Sequence, residues 1–122
     1  MSIAPDSILV ACPSRPLLSR IGEKWTLMVV VALADGPTRF GALRTRIEGI
    51  SQKLLTQSLR GLERDGLVAR QIFDDMPLRV EYRLTELGRG LLPLAVALKR
   101  WAEASLPDVV RHNRAHDSGQ RG

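Results

Sequence analysis

The stretch SQKLLTQSLRGLERDGLVARQIFDDMPLRVEYRLT, residues 51–85, decides the fold. It predicts an amphipathic helix, a glycine that ends it, and a β-hairpin that leads into another helix. One side of the first helix carries four leucines, Leu54, Leu55, Leu59 and Leu62. The other side carries hydrogen-bonding and cationic residues, namely Gln52, Lys53, Thr56, Gln57, Arg60 and Arg64. This pattern fits a helix that enters a DNA groove, but an ordinary surface helix has two such faces as well. The flanking segments must decide between these two interpretations.

The residues after this helix predict a β-hairpin. Gly66 stands where a helix is commonly ended by a residue in the left-handed conformation. Residues 67–73 and 79–84 follow as two strands, and residues 74–78 form the tip between them. In the second strand the apolar residues Val80, Tyr82 and Leu84 alternate with charged ones, which is the period of a strand with one buried face.

The residues before residue 51 predict a shorter helix. Thr38 can cap it, and Phe40, Leu43 and Ile47 have the spacing of a buried helical stripe within a helix from about residue 39 to 47. A short turn with a glycine follows, and Ser51 can cap the next helix. Two helices joined in this way indicate a helix-turn-helix, and the hairpin after it makes the predicted motif a winged helix.

The N-terminal third predicts two further helices. A short one runs from about residue 14 to 21, and residues 23–34 are apolar on nearly every side, as expected for a central helix. The β-branched residues of this second segment also fit a strand, but its length favours a helix. Residues 1–11 show no periodicity and are expected to be a flexible arm.

A long C-terminal helix is predicted to start at a Thr85 cap. We expect Pro93 to kink or interrupt it, Pro107 to end it or kink it again, and the polar chain from about His112 to be disordered. A small domain cannot bury all the large apolar residues of this helix, so we expect a homodimer. The residues predicted to form the dimer contact are Leu91, Leu94, Leu98 and Trp101.

The expected fold class is therefore mainly α with a small β-hairpin (α+β). It is a winged helix-turn-helix with N- and C-terminal helices for dimerisation. Residues 12–106 form the domain, after the arm at 1–11 and before a polar tail at 107–122. A length of 122 residues and a hydrophobic fraction of 44% fit one such domain. The sequence contains neither a transmembrane run nor a signal peptide, and one cysteine suits a reducing compartment, so we expect a cytoplasmic protein.

Charge is concentrated around the candidate recognition helix. The chain carries a formal net charge of +5, and residues 39–64 contain six basic and two acidic residues, a local net charge of +4. Such clustering predicts binding to a polyanion, and the polar helix face suits a DNA major groove. The sequence therefore predicts a DNA-binding protein. A winged-helix protein-interaction module that does not bind DNA is the alternative.

The predicted DNA-binding residues have distinct roles. Arg60 and Arg64 could read guanine, and Gln52 and Gln57 could pair with adenine. Lys53 and Thr56 are better placed to hold phosphates and set the register. The full set is Arg39, Ser51, Gln52, Lys53, Thr56, Gln57, Arg60, Arg64 and Arg79.

The sequence offers no catalytic or metal-binding constellation. Both histidines lie near the C-terminus, away from any candidate nucleophile, so we do not expect an enzyme. His112 and His116 are four residues apart, which suits a metal ion only if that segment is helical, and no third ligand is evident. We therefore expect neither a metal nor a cofactor.

The order of these motifs resembles that of the HxlR-type branch of MarR-like winged-helix transcription regulators. The matching segments are Cys12-Pro13, IGEKWTLMVV at 21–30, DGPTRFGALR at 35–44, GISQKLLTQSLRGLERDGLVAR at 49–70, Pro77, RVEYRLT at 79–85 and Leu87-Gly88. They cover most of residues 12–102. The resemblance implies a homodimeric bacterial regulator that binds a palindromic operator.

The resemblance also bears on two single features. Some members of the family sense through a cysteine at the position of Cys12, so Cys12 is a candidate redox sensor and a small molecule or electrophile a candidate effector. An inert thiol is the alternative. Leu78 stands where members often have a proline or a basic residue, and Asp74 and Asp75 make the tip acidic. Arg79 is therefore the best candidate for a DNA contact from the wing.

Overall fold

The structure is a computed structural model that describes residues 15–120. In chain order its elements are α1 (Arg15–Ile21), α2 (Lys24–Ala32), β1 (Thr38–Arg39), α3 (Phe40–Arg46), α4 (Gln52–Arg64), β2 (Val68–Phe73), β3 (Arg79–Leu84) and α5 (Glu86–Gln120). This arrangement confirms the predicted mainly helical winged helix-turn-helix. The N-terminal arm and Cys12 lie outside the described residues, so the expectations for them are untested.

The sheet has three antiparallel strands in the order β1-β3-β2. Strands β2 and β3 form the predicted hairpin, with Val68 opposite Leu84 and Phe73 opposite Arg79 at its two ends. Strand β1 adds to the other edge of β3, where Thr38 lies opposite Tyr82. The sequence did not predict β1, because two residues are too few to display an alternating pattern.

The prediction that Thr38 caps the next helix is wrong. Thr38 is buried in β1, and its hydroxyl donates a hydrogen bond of 2.9 Å to the carbonyl oxygen of Gly36. Helix α3 begins at Phe40, and its N-cap residue, Arg39, makes no capping hydrogen bond through its side chain. The pairing of Thr38 with β3 holds it in the sheet and leaves its hydroxyl one position too early for the cap.

Helix α2 is the centre of the core, as its sequence predicts. Its residues Val29 and Val30 are fully buried, and α4 packs its own buried leucines into the same cluster. Met28, however, is 45% exposed, so α2 is not covered on every side. The core consists of Val29, Val30, Leu33, Leu43, Ile47, Ile50, Leu55, Leu59, Leu62, Leu67, Val68, Leu84 and Ala95.

Helix α5 corrects the expectation of a disordered C-terminal segment and excludes a helix break at either of its two prolines. One helix runs from Glu86 to Gln120 with both Pro93 and Pro107 inside it, so neither proline interrupts it and residues 112–120 are helical, not disordered. A kink at either proline stays a prediction. A proline removes one backbone donor, and the turns on either side of it can still keep a helix continuous. The Thr85 cap is confirmed, because its hydroxyl oxygen accepts a hydrogen bond of 3.1 Å from the Gly88 amide. The division of the chain at residue 106 remains a prediction.

Candidate nucleic-acid interface

Helix α4 is fixed at both of its ends. At the start, the Ser51 hydroxyl oxygen accepts a hydrogen bond of 3.1 Å from the Leu54 amide, which confirms the predicted cap. At the end, Gly66 has a φ of +76°, a conformation that favours glycine. The amides of Gly66 and Leu67 bond back to the carbonyls of Glu63 and Leu62, at 3.0 and 2.9 Å. This is the Schellman arrangement, and it closes the helix where the sequence predicts.

The buried residues of α4 set its rotation about its own axis. Leu55, Leu59 and Leu62 are at most 1% exposed, as predicted. The prediction that Leu54 is buried with them is wrong, because it is 38% exposed. At about 100° per residue, Leu54 lies roughly 100° from the mean direction of the other three, at the edge of the apolar face. The polar face of the helix is therefore directed away from the domain.

The polar face of α4 is open to solvent. Residues Gln52, Lys53, Gln57, Arg60 and Arg64 are exposed, and Thr56 is half-buried. Five of the six, all except Arg64, line one open depression of about 560 Å³. Within residues 15–120, none of the three cations on this face forms an ion pair. These charges are therefore available to an anionic ligand.

Arg39 and Ser51 flank this face without belonging to it. Arg39 is exposed at the end of β1, directly before α3, and none of the ion pairs in residues 15–120 includes it. Ser51 is exposed too, although its hydroxyl oxygen is already engaged as the helix cap. Its hydroxyl hydrogen can still be donated to a phosphate.

Arg79, the candidate wing contact, is occupied by the wing itself. Its Nε lies 2.8 Å from Oδ2 of Asp75, and its Nη1 lies 2.6 Å from Oε2 of Glu81. The guanidinium carbon stands 3.9 Å from the centre of the Phe73 ring. Hydrogen bonds first to Asp75 and then to Glu81 raise the pKa of Arg79 further above its ordinary value. The guanidinium thus joins the tip to both strands of the hairpin.

The sequence could not show that Arg79 is held in this way. The sequence alone shows Asp75 only as part of an acidic tip, whereas its carboxylate binds the cation four residues later. Two other wing arginines are better exposed. The side chain of Arg70 is 52% exposed and lies 3.4 Å from Glu63, and Arg83 is exposed with no ion pair inside residues 15–120. The alternating pattern of β3 places Arg83 on the side away from the core, and this pattern could have identified Arg83 as a candidate wing contact.

The predicted dimer contacts form an apolar surface on α5. Leu94, Leu98 and Trp101 are 68%, 49% and 63% exposed, whereas Leu91 is half-buried against the core. Leu106, farther along the helix, is exposed as well. Helix α1 adds exposed leucines and has no buried residue. These apolar side chains have no cover within the described chain.

Other kinds of site find little support in the described part of the chain. Residues 15–120 contain no group of three side chains that could hold a metal ion. Because α5 continues to Gln120, His112 and His116 lie one turn apart on the same helix, but no third ligand joins them there. Across the same range, no helix combines the length and the apolar character needed to cross a membrane.

A helix-turn-helix with an exposed polar second helix, followed by a β-hairpin wing, defines the winged-helix transcriptional regulators. Comparison with known proteins agrees with this class. The model of the HxlR-like helix-turn-helix family matches residues 20–109, and the chain belongs to that family.

Its relatives carry related descriptions. The uncharacterized HTH-type transcriptional regulator YtfH of Escherichia coli K12 is 43% identical over 106 residues, covering 85% of this chain and 84% of YtfH. The solved structure of ytfH from Salmonella typhimurium has a TM-score of 0.78 at 40% identity and covers 85% of this chain and 93% of its own. The structure of the redox regulator HypR in its oxidized form has a TM-score of 0.71 at 41% identity. The match covers 76% of this chain and 96% of the HypR chain. These proteins are regulators, so the expectation that the chain is not an enzyme is confirmed.

Proposed function

We propose that the protein is a sequence-specific transcriptional regulator that binds a palindromic operator as a homodimer. The observation that carries this proposal is the polar face of α4. Three cations without ion pairs among residues 15–120 lie on a helix whose ends are capped and whose rotation is set by three buried leucines. A rigid helix with hydrogen-bonding and cationic side chains on its open face suits the DNA major groove.

The wing, residues 67–84, is proposed to lie on the flanking backbone or minor groove. Arg70 and Arg83 are exposed and can approach phosphates there. Arg79 is already bound to two carboxylates, so we assign it mainly the role of shaping the hairpin. Arg39 and Ser51 are proposed to contact phosphates beside α4, since both are exposed near the start of a helix.

The homodimer is proposed to form through α5. Leu94, Leu98 and Trp101 are exposed on it, and Leu91 is half-buried against the core. A contiguous apolar surface of this kind is usual at an interface between subunits. A two-fold axis would then present two α4 helices to two half-sites about 34–36 Å apart.

The relatives support a sensing role for Cys12 as a further proposal. A similar solved structure is that of HypR, which is described as a redox regulator, and another is a diamide-treated form of YodB from Bacillus subtilis. Diamide or a quinone should release the wild-type protein from DNA and leave Cys12→Ser bound. Equal responses in both proteins would make Cys12 an inert thiol.

The test of the main proposal starts with selection of duplexes by the protein from a random-sequence library. The selected duplex should bind in a gel shift far more tightly than a scrambled one, and binding should weaken steeply between two salt concentrations. If no duplex is enriched and binding does not depend on salt, the winged-helix module that binds another protein becomes the better assignment.

A further inference from the structure

An ion pair joins the end of α4 to α1. Nε of Arg20, in the last turn of α1, lies 2.5 Å from Oδ2 of Asp65, the C-cap residue of α4. Both atoms are shielded from solvent, and neither has a hydrogen-bond partner between residues 15 and 120, so charge attraction joins them. The contact therefore links two elements that are far apart in sequence.

A glycine in α4 makes room for this contact. A Cβ atom on Gly61 would lie 2.6 Å from Nη1 and 3.4 Å from Cδ of Arg20, so the arginine passes directly over the place where a side chain would stand. Glycine is unfavourable inside a helix, and Gly61 lies inside α4, one turn before its end. The close approach of Arg20 gives a physical reason for this glycine.

Asp65 also depends on Arg20. A carboxylate at the C-terminal end of a helix faces the negative end of the helix dipole, which disfavours it. The guanidinium of Arg20 supplies the opposite charge at that point. The three residues therefore form one arrangement, which we call the α1–α4 clamp: Arg20, Gly61 and Asp65.

We infer that Arg20 is a positioning residue for DNA recognition. Through the clamp it fixes the last turns of α4 against α1, and those turns carry Arg60 and Arg64 next to Gly61 and Asp65. A shift of α1 is therefore transmitted to the two cations proposed to read bases. This inference rests on the proposed function of α4.

Gly61→Ala tests the clamp without a change in charge. The added methyl group displaces the Arg20 guanidinium, while alanine itself favours the helix. We expect the Kd for the selected duplex to rise by about 2- to 30-fold, the range for residues that couple to a binding site. The unfolding midpoint in urea should change little. Gly119→Ala is the control, because a Cβ there meets nothing within 4 Å.

A double variant shows whether the effect runs through Arg20. In an Arg20→Ala background the methyl group on residue 61 has no guanidinium to displace, so Gly61→Ala should weaken DNA binding no further. An equal loss with and without Arg20 would overturn the inference, since the methyl group would then act by another route.

Hydrogen exchange in the DNA-free protein separates the clamp from the DNA proposal. Both Arg20→Ala and Gly61→Ala should speed exchange at the amides of Gly66 and Leu67, which close α4. Unchanged exchange in both variants would overturn the clamp even if the wild type binds DNA. If exchange speeds up but the wild type selects no duplex, the clamp stands as a structural contact, and its role in recognition fails with the proposed function.

Discussion

Arg60 is the residue at which base reading is most directly testable. It is exposed beside Gln57 on the face of α4 and has no ion pair with any residue from 15 to 120. If it forks onto a guanine, Arg60→Ala should cost about 1–3 kcal/mol of binding free energy and relax discrimination at one base pair in each half-site. Binding to single-base variants of the selected duplex measures both effects.

Arg114→Ala is the matched control for Arg60→Ala. It removes the same charge from an exposed position near the end of α5, on a different helix from the proposed recognition face. It should reduce affinity slightly and equally for every duplex. A loss of the same size in both variants, with discrimination intact, would mean that Arg60 contributes only charge.

Lys53 is expected to behave differently from Arg60. It is exposed at the second position of α4, where binding to a phosphate sets the register of the helix on the duplex. Lys53→Ala should therefore weaken selected and scrambled duplexes alike. It should also reduce the slope of log K against log salt by about one unit for each phosphate that the lysine neutralises. A loss confined to one base pair would assign Lys53 to base reading instead.

The exposed residues of α4 could be predicted from the sequence because the helical period alone separates them from the buried ones. Their separation from Leu55, Leu59 and Leu62 follows from the helical turn angle alone. The partners of Arg20 and Arg79 could not be found in this way. Which carboxylate neutralises a given arginine depends on how separate elements pack, and a single sequence carries no record of those distances.

In the wing, one substitution distinguishes two possible roles of Arg79, a contact to DNA phosphate and a contact that holds the hairpin together. As a phosphate contact, Arg79 could be replaced by lysine with little loss. As a residue that holds the hairpin together it could not, because lysine cannot bind two carboxylates in a fork and lie flat on the Phe73 ring. We expect Arg79→Lys to speed amide exchange in β2 and β3 and to weaken DNA binding nearly as much as Arg79→Ala.

Arg83→Lys is the companion variant for the wing. Arg83 is exposed and forms no ion pair within the described range. Arg83→Lys should therefore change neither the amide exchange rates of the hairpin nor the affinity for DNA. If amide exchange in the hairpin stays slow and DNA affinity stays normal in Arg79→Lys, Arg79 acts as a phosphate contact.

Sequence patterns predicted the elements well where they were long and less well at their ends. The hairpin strands and α4 follow from periodicity and from Gly66. Strand β1 is two residues long and exists only because β3 pairs with it. The continuation of α5 through Pro93 and Pro107 depends on the turns on either side of each proline, and local rules for proline do not capture that balance.

For the whole molecule, the proposed dimer makes a direct prediction. Leu98→Asp combined with Trp101→Ala places a charge in the exposed apolar surface of α5 and removes its largest side chain. Light scattering at micromolar concentration should show a dimer for the wild type and a monomer for the double variant. Glu103→Ala, which breaks an exposed ion pair with Lys99 on the opposite side of α5, should leave the dimer intact. A wild-type monomer, or a dimer in the double variant, would contradict the proposal.

The length of α5 has a consequence for how the stability of the protein depends on its concentration. Its 35 residues span about 52 Å at 1.5 Å per residue, and beyond residue 102 nearly every position is exposed. Isolated helical segments of this size are marginal in water, so in the proposed dimer the second chain would supply most of the order of the outer half. The melting temperature should then rise with protein concentration, and regulation would begin only above a threshold copy number.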